Sequence, residues 1–185
     1  DVIIAMRARD VEAIRSNPGK FNYASVGSGS PHHLFMEALK AELGLSIQHV
    51  PYKGTQAAIP DLLTGGVQMM FADATVAVPN IQAGKVTPLG TSSAKPTTLV
   101  PGVPPIAATV KGFDWEAWQG IVAPAATPPA IVAKLAAELQ RIQSTPEFRE
   151  QLRKFGMESA PPHTPAEFAA IVAAEHLPVL AREAI

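Results

Sequence analysis

The chain has 185 residues, of which 47% are hydrophobic and 17% are charged, and its formal net charge is −1. The charged fraction lies below the ~25% typical of globular domains, which predicts a substantial buried core and argues against an intrinsically disordered chain. Cysteine is absent, basic residues form no stripe and no apolar run reaches membrane-spanning length, so the composition excludes disulfides and thiolate metal sites and argues against a nucleic-acid partner or a membrane-inserted segment.

The first half of the chain alternates strand-like and helix-like segments. The apolar run at residues 2–6 predicts a strand buried on both faces, and residues 10–16 predict a short helix. Further strands are predicted around Tyr23 and over residues 46–50, 67–71 and 86–92. Helices are predicted over residues 31–43, over 55–64 and up to Gln82, where Pro79 should kink or end the helix. This alternation predicts an α/β fold with a mostly parallel sheet covered by helices.

The last third of the chain has a different character. Residues 95–105 are rich in Pro and Thr and predict an irregular segment, whereas residues 114–123 predict a strand. Trp115 and Trp118 are expected in core or inter-lobe packing, and a lobe boundary is expected near residues 110–118.

Helices are predicted over residues 130–143, over 144–155 and again after His163. The third of these should start with a capping box made by Thr164 and Glu167. The apolar stripe of the first is expected to lie in the core, and it consists of Ile131, Leu135, Leu139 and Ile142.

The loop over residues 26–31 has the composition of an anion site. Gly27 and Gly29 allow unusual backbone angles and close approach of a ligand, and Ser30 is a good N-cap for a helix that starts at Pro31. A helix start leaves unpaired N–H groups and partial positive charge, which can hold a carboxylate or a phosphate. The same residues would also fit an ordinary, well-capped turn between a strand and a helix.

Two further loops, at residues 51–55 and 72–75, should lie at the same edge of the sheet. Tyr52 could bond or cover a ligand, or pack in the wall of the site. Asp73 could accept a hydrogen bond from a ligand amine or hydroxyl, fix a water, or cap the following helix.

Two adjacent histidines, His32 and His33, follow the first loop, and only one of them can face it. His33 and Glu37 have the i, i+4 spacing of metal ligands but lack a third ligand, so no metal site is predicted. No orienting acid or oxyanion motif accompanies Ser30 and His33, which argues against a nucleophile pair. We expect His33 to pack near the loop and to hydrogen-bond the backbone.

A set of short motifs, in this order and spacing, resembles one family. They are Asn17–Ser25, Gly27–Leu34, Val50–Gly54, Asp61–Leu63, Gly66–Gln68, Ile81–Lys85, Trp118–Gly120, Ala123–Pro124 and Thr127–Pro128. The chain resembles the Bug (TctC-like) group, the periplasmic solute-binding receptors of tripartite tricarboxylate transporters.

The resemblance implies a periplasmic-binding-protein-like α/β fold of type II, the two-lobed Venus flytrap. Residues 1–112 would form the second, parallel-sheet lobe, and residues 113–185 the hinge strand and the helical C-terminal return into the first lobe. The N-terminal part of the first lobe has no counterpart in these 185 residues. The chain is therefore expected to be incomplete and to carry one side of the ligand site.

The resemblance also implies a non-catalytic receptor that captures a small carboxylate: a di- or tricarboxylate, an amino acid or an aromatic acid. It would work in the periplasm with the membrane subunits of a tripartite tricarboxylate transporter, and it would need no cofactor. The residues expected to bind the ligand are Ser25, Gly27, Ser28, Gly29, Ser30, His33, Tyr52, Gly54, Thr55 and Asp73.

Two alternatives remain open from the sequence. An α/β enzyme or nucleotide-binding domain could use the Gly/Ser loop as a phosphate cradle, although the chain has neither a GxGxxG motif nor the lysine and hydroxyl pair of a P-loop. A sensory domain of the same flytrap architecture is the second alternative.

Overall fold

The computed structural model describes the backbone of residues 2–6 and 16–182. The helix predicted over residues 10–16 falls outside the described residues except for Ser16. The described strands are β1 (Val2–Met6), β2 (Asn22–Ser25), β3 (Gln48–Pro51), β4 (Met69–Asp73) and β5 (Thr87–Thr91). The helices are α1 (Pro31–Leu43), α2 (Thr55–Thr64), α3 (Ala74–Gln82), a 3₁₀ helix (Ile106–Ala108), α4 (Pro129–Gln143), α5 (Pro146–Lys154) and α6 (Pro165–Arg182).

The chain divides into two compact units. The first consists of Asp1–Trp118 and Lys154–Met157, and the second of Gln119–Arg153 and Glu158–Ile185. The first unit contains all the described strands, and the second is built from helices and irregular segments. The assignment of residues 1–112 and 113–185 to two lobes stays a prediction.

A single five-stranded sheet organises the first unit, with the order β3-β2-β4-β1-β5. Strand β2 is parallel to β3 and β4, whereas β1 is antiparallel to both β4 and β5. Four strands therefore share one direction, and β1 runs against them in the interior of the sheet. The predicted mostly parallel sheet is found with this one exception, because an apolar run such as residues 2–6 carries no information about strand direction.

Both faces of the sheet are buried. Alternate residues of a strand point to opposite faces, and Tyr23 and Phe71 enter one hydrophobic cluster while Ala24 and Met70 enter the other. Helix α1 covers the first cluster with Phe35, Met36 and Leu39, and α2 covers the second with Ala58, Ile59 and Leu62. This two-sided burial holds the ends of β2, β3 and β4, where the candidate site lies, on a rigid support.

Helix α1 has the bounds that its local signals predict. The Ser30 hydroxyl accepts the His33 N–H as an N-cap, Pro31 occupies the first helical position, and Gly44 ends the helix with φ +61°. Helix α2 also matches its predicted range. Helix α3 ends at Gln82, as predicted, with Pro79 inside its last turn. The Pro79 carbonyl still accepts the Ala83 N–H at 3.0 Å, which preserves the last turn.

The strand predicted over residues 114–123 is wrong. This segment has no regular secondary structure, and Ile121 and Val122 are 72% and 83% exposed. A strand needs a neighbour to take its backbone hydrogen bonds, and the described part of the second unit supplies none. Trp115 instead packs against the first hydrophobic cluster, as expected, and its N–H bonds the Ser92 carbonyl at 2.9 Å.

The expected core position of the α4 stripe is also wrong. Ile131, Leu135 and Ile142 are exposed, because the described residues of the second unit cover only part of that helix. The capping box is confirmed: the Glu167 N–H bonds the Thr164 hydroxyl at 3.2 Å, and the Thr164 N–H bonds the Glu167 carboxylate at 2.7 Å.

Substitution of Gly90 in β5 tests how tightly the 3₁₀ helix packs on the sheet. A Cβ atom at Gly90 would lie 2.8 Å from Ile106 Cγ1 and 3.2 Å from the Pro104 carbonyl oxygen. We therefore expect Gly90→Ala to lower the free energy of unfolding by about 1–3 kcal/mol, measured by urea denaturation. Gly66→Ala is the matched control, since its new Cβ would come no closer than 3.4 Å to Asp61. Equal midpoints for the two variants would contradict the packing of Ile106 on β5.

Candidate functional site

The three loops singled out in the sequence lie side by side. Strands β3, β2 and β4 are parallel neighbours, so their carboxyl ends lie at the same edge of the sheet. The loop over residues 26–31 follows the middle strand, and helices α1, α2 and α3 all begin at this edge. Three helix N-termini therefore bring unpaired N–H groups and partial positive charge to one place.

Internal hydrogen bonds hold the loop over residues 26–31 in shape. The buried Ser25 hydroxyl accepts the Gly27 N–H at 3.0 Å, and the Ser30 hydroxyl donates to the Gly27 carbonyl at 2.7 Å. Gly27 and Gly29 have φ +124° and +77°, which an L side chain rarely adopts. The polar groups of Ser25, Gly27 and Ser30 thus stabilise the loop, and their direct contact with a ligand stays a prediction.

His33 lies against this loop and bonds its backbone, as expected. Its Nδ1 atom accepts the Gly29 N–H at 3.3 Å. The ring lies 4.4 Å from the His49 ring, centroid to centroid, and 6.4 Å from that of Tyr23. The Gly29 N–H is therefore engaged within the protein.

Other backbone donors of the same edge are available. Among the described residues, no acceptor takes the N–H groups of Ser28 and His32 at the start of α1, or those of Thr55 and Gln56 at the start of α2. The Ser28 hydroxyl likewise has no partner in that part of the chain. These groups are the ones that can bond an anion without breaking an existing hydrogen bond.

Asp73 links the starts of all three helices. It occupies the N-cap position of α3, but its carboxylate does not cap that helix. One oxygen, Oδ2, accepts the Thr55 hydroxyl at 2.6 Å, and the other, Oδ1, lies 3.2 Å from His32 Nε2. The nearby His32 ring and the Thr55 hydroxyl hold the pKa of Asp73 below its usual range, against the effect of partial burial.

His32 is a residue of this edge that the sequence did not single out as a ligand contact. Its side chain is buried beside Asp73, and neither ring nitrogen has an aligned hydrogen-bond partner among the described residues. The 3.2 Å approach to Asp73 is therefore an electrostatic contact rather than a directed hydrogen bond. The sequence signal that could have found His32 is the pair of adjacent histidines. Since His33 faces the loop, His32 must face another neighbour, which is Asp73.

A polar network under the loop was also missed. The Tyr23 hydroxyl donates to Glu37 Oε1 at 2.5 Å, Lys40 bonds the same oxygen at 2.6 Å, and the Ser25 hydroxyl lies 2.5 Å from His49 Nε2. Tyr23 and His49 are direct partners across β2 and β3, and their rings stack at 4.9 Å. The register of β2 and β3 pairs Tyr23 with His49, and the packing of α1 on the sheet brings Glu37 to Tyr23. Of these contacts, only the i, i+3 pair of Glu37 and Lys40 has a local signal in the sequence.

The network also fixes the charge states of its members. Partial burial raises the pKa of Glu37, but the bonds from Lys40 and Tyr23 outweigh this effect and hold it below its usual range. Burial, together with the neighbouring His33, lowers the pKa of His49. The network therefore favours an ionised Glu37 and a neutral His49 beneath the loop.

Tyr52 and Gly54 flank the start of α2. The Tyr52 hydroxyl donates to Asp61 Oδ2 at 2.6 Å, and burial together with this bond raises the pKa of Tyr52 to about 12. Gly54 occupies the N-cap position of α2. The Tyr52 hydroxyl is thus committed to α2, which favours a role in the wall of the site, and its contact with a ligand stays a prediction.

Within residues 2–6 and 16–182, no group of three or more His, Asp or Glu side chains is arranged to hold a metal ion. The same residues form no helix that combines the length and the apolar character needed to cross a membrane.

Two known proteins of similar sequence are longer than this chain. The UPF0065 protein in the tcbD-tcbE intergenic region of Pseudomonas sp. is 38% identical over 160 residues, which are 83% of this chain and 48% of that protein. Protein BugT of Bordetella pertussis is 30% identical over 122 residues, covering 65% and 37% of the two chains. This chain thus spans about half the length, or less, of these relatives.

Solved structures of similar fold include MatC from Rhodopseudomonas palustris with bound malate, with a TM-score of 0.80, 30% identity and coverage of 94% of this chain and 63% of that one. An R. palustris protein with adipate gives a TM-score of 0.82 at 27% identity and covers 94% and 61% of the two chains. The periplasmic binding protein BugD gives 0.71 at 31% identity and covers 85% and 56%. The expected periplasmic-binding-protein-like α/β fold is thereby confirmed.

One family model spans nearly the whole chain. The model described as the tripartite tricarboxylate transporter family receptor, TctC, matches residues 6–175. With the shared fold and the identities above, this match confirms the resemblance found in the motifs. The chain belongs to the TctC family of receptors of tripartite tricarboxylate transporters.

Proposed function

We propose that this chain carries one side of the binding site of a periplasmic receptor, which captures a small carboxylate for a tripartite tricarboxylate transporter without catalysing a reaction. The observation that carries the proposal is the convergence of three helix N-termini, with the N–H groups of Ser28 and His32 lacking a protein acceptor. Malate and adipate, bound to two structural neighbours, are carboxylates of the class that such donors suit.

The loop over residues 26–31 takes the carboxylate in this proposal. Donation from the Ser28 and His32 N–H groups and from the Ser28 hydroxyl would replace the water lost by the anion, and the dipole of α1 favours its charge. Ser25, Gly27 and Ser30 hold the loop, while His33 and Gly29 form its flank.

The α2 and α3 loops complete this side of the site. Tyr52, Gly54 and Thr55 form the wall at the start of α2. Asp73 disfavours a second bare carboxylate beside it, because like charges repel. It instead suits a ligand amine, hydroxyl or bridging water that can donate to Oδ1.

The side chains that could do chemistry are otherwise engaged, which supports a receptor without catalysis. The Ser25 hydroxyl is buried and bonded to His49, and the Ser30 hydroxyl donates to the Gly27 carbonyl. Ser25 has an imidazole within hydrogen-bond reach but is fully buried, so its oxygen is not exposed to a ligand, and Ser30 is bonded to a carbonyl rather than to a base.

A ligand titration followed by NMR tests this proposal and detects weak binding. With malate or adipate at about ten times the dissociation constant, the amide signals of Ser28 and His32 should shift most, and the melting temperature should rise through mass action. Nucleotides are titrated in parallel, as the ligands expected for a phosphate cradle. Shifts and stabilisation by these alone would favour the phosphate-cradle alternative and contradict the receptor.

A negative charge placed at Ser28 should weaken ligand binding. Ser28→Asp puts an anion where the ligand carboxylate is expected, so we expect affinity for malate or adipate to fall at least about 10-fold, which corresponds to ~1.4 kcal/mol. Ser28→Asn is the matched control, because asparagine has nearly the size of aspartate but no charge. The affinity of this variant should stay within a fewfold of that of the unmodified chain. Equal affinities for the Asp and Asn variants would place the anion elsewhere.

A further inference from the structure

One donor of the ligand loop depends on the protonation state of a side chain. The Gly29 N–H, in the middle of the loop over residues 26–31, is bonded to Nδ1 of His33 at 3.3 Å. This bond requires an unprotonated Nδ1, so the ring is the neutral tautomer with its proton on Nε2. In this state neither Gly29 nor His33 Nδ1 offers a hydrogen to an anion in the loop.

A second proton on His33 reverses that arrangement. The imidazolium has N–H groups at both nitrogens and cannot accept a hydrogen bond, so the Gly29 N–H loses its partner. The Gly29 N–H and the His33 Nδ1–H are then both free to donate to a ligand, whereas in the neutral state the Gly29 N–H is bonded to His33 Nδ1. A carboxylate is the group that can accept from both, and it also compensates the new positive charge.

The titratable groups around His33 lie on α1, β2 and β3. Glu37, one turn further along α1, is paired with Lys40 at 2.6 Å. The His49 ring lies 4.4 Å and the Tyr23 ring 6.4 Å from the His33 ring, and the positive end of α1 favours an anion beside them. His32, the other imidazole of this helix start, faces Asp73.

We propose that His33 is a pH-sensitive latch on the ligand loop: when neutral it holds the Gly29 N–H, and when protonated it releases that donor and adds its own, so that a carboxylate binds more tightly at lower pH. The inference rests on the proposed carboxylate site at residues 26–31. By linkage, ligand binding and protonation of His33 favour each other to the same extent.

The latch can first be tested without any ligand. In the unmodified chain, the Gly29 amide signal should move with pH together with the His33 ring signals and with the same midpoint. In His33→Asn, whose side-chain oxygen can still accept the Gly29 N–H but does not titrate, the amide signal should stay constant. A Gly29 signal that is independent of pH in the unmodified chain, or that titrates equally in His33→Asn, would overturn the latch.

Malate affinity measured by NMR at about pH 6 and about pH 8 is the second test. We expect at least about fivefold tighter binding at the lower pH, relative to the same ratio in His33→Asn, which also cancels the protonation of malate itself. His49→Gln should keep the pH dependence. A pH dependence that survives in His33→Asn, or that disappears only in His49→Gln or in His32→Gln, would assign it to another imidazole and refute the proposal.

The two tests separate this inference from the function on which it rests. If malate binds none of the variants but the Gly29 and His33 signals titrate together, the release of the Gly29 N–H by His33 is supported, whereas the carboxylate site and the effect of His33 on ligand affinity are contradicted. If malate binds all of them with the same dependence on pH, the site stands and the latch is contradicted.

Discussion

Phe71→Ala is expected to lower the free energy of unfolding of the first unit by about 3–5 kcal/mol. Phe71 lies in β4, between β2 and β1, and is fully buried. Its ring packs edge-on to Phe35 at 5.8 Å and stacks on Phe113 at 6.4 Å. Truncation removes both aromatic contacts and leaves a cavity at the centre of the sheet, where the backbone cannot collapse to fill it.

The loss should appear as a lower urea midpoint with little change in the slope of the unfolding transition. Phe155→Ala is the matched control, because the Phe155 side chain is 65% exposed and its truncation should change stability by no more than about 0.5 kcal/mol. Comparable losses for Phe71 and Phe155 would contradict the position of Phe71 in the core.

The parts of the fold that the sequence predicts well are those determined by short-range chemistry. The ends of α1 follow from a serine cap, a proline at the first position and a glycine just beyond the last turn. The meeting of three loops at one sheet edge follows from the alternation of strands and helices, since parallel neighbours must end on the same side.

The parts that it does not predict depend on what each segment meets. Residues 114–123 have the composition of a strand, but no described strand lies beside them. The apolar stripe of α4 has the period of a core helix, but most of its side chains are exposed. Periodicity describes one face of an element and says nothing about the element that packs on it.

The candidate site shows the same division. Ser28 and His33 could be named because the first lies in a glycine-rich loop and the second in the helix turn that follows it. His49 could not, because its role comes from the register that pairs it with Tyr23 across two strands separated by α1. Of the three roles expected for Asp73, the helix cap is wrong, because its carboxylate reaches across to Thr55, while its roles toward a ligand or a water stay predictions.

Removal of the Asp73 carboxylate should therefore destabilise the edge of the sheet as well as change its charge. Asp73→Ala leaves the Thr55 hydroxyl without its acceptor and the buried His32 ring without the carboxylate beside it, and we expect a loss of about 1–3 kcal/mol in the free energy of unfolding. Asp73→Asn keeps an oxygen for the Thr55 hydroxyl and should lose less. If the alanine and asparagine variants are equally stable, the bond between Asp73 and Thr55 contributes nothing.

The pH dependence of these variants gives the second readout, and its sign follows from linkage. Because the pKa of Asp73 is lower in the folded chain than in the unfolded one, the unfolded chain binds the proton first as the pH falls. The stabilisation from Asp73 is thus fully present above the ordinary carboxyl range near pH 4 and is lost as the pH falls through the folded pKa. Between about pH 5 and about pH 3, the unmodified chain should lose stability more steeply than Asp73→Asn, in urea titrations at each pH. Parallel profiles would mean that the charge on Asp73 does not stabilise the junction of the three helices.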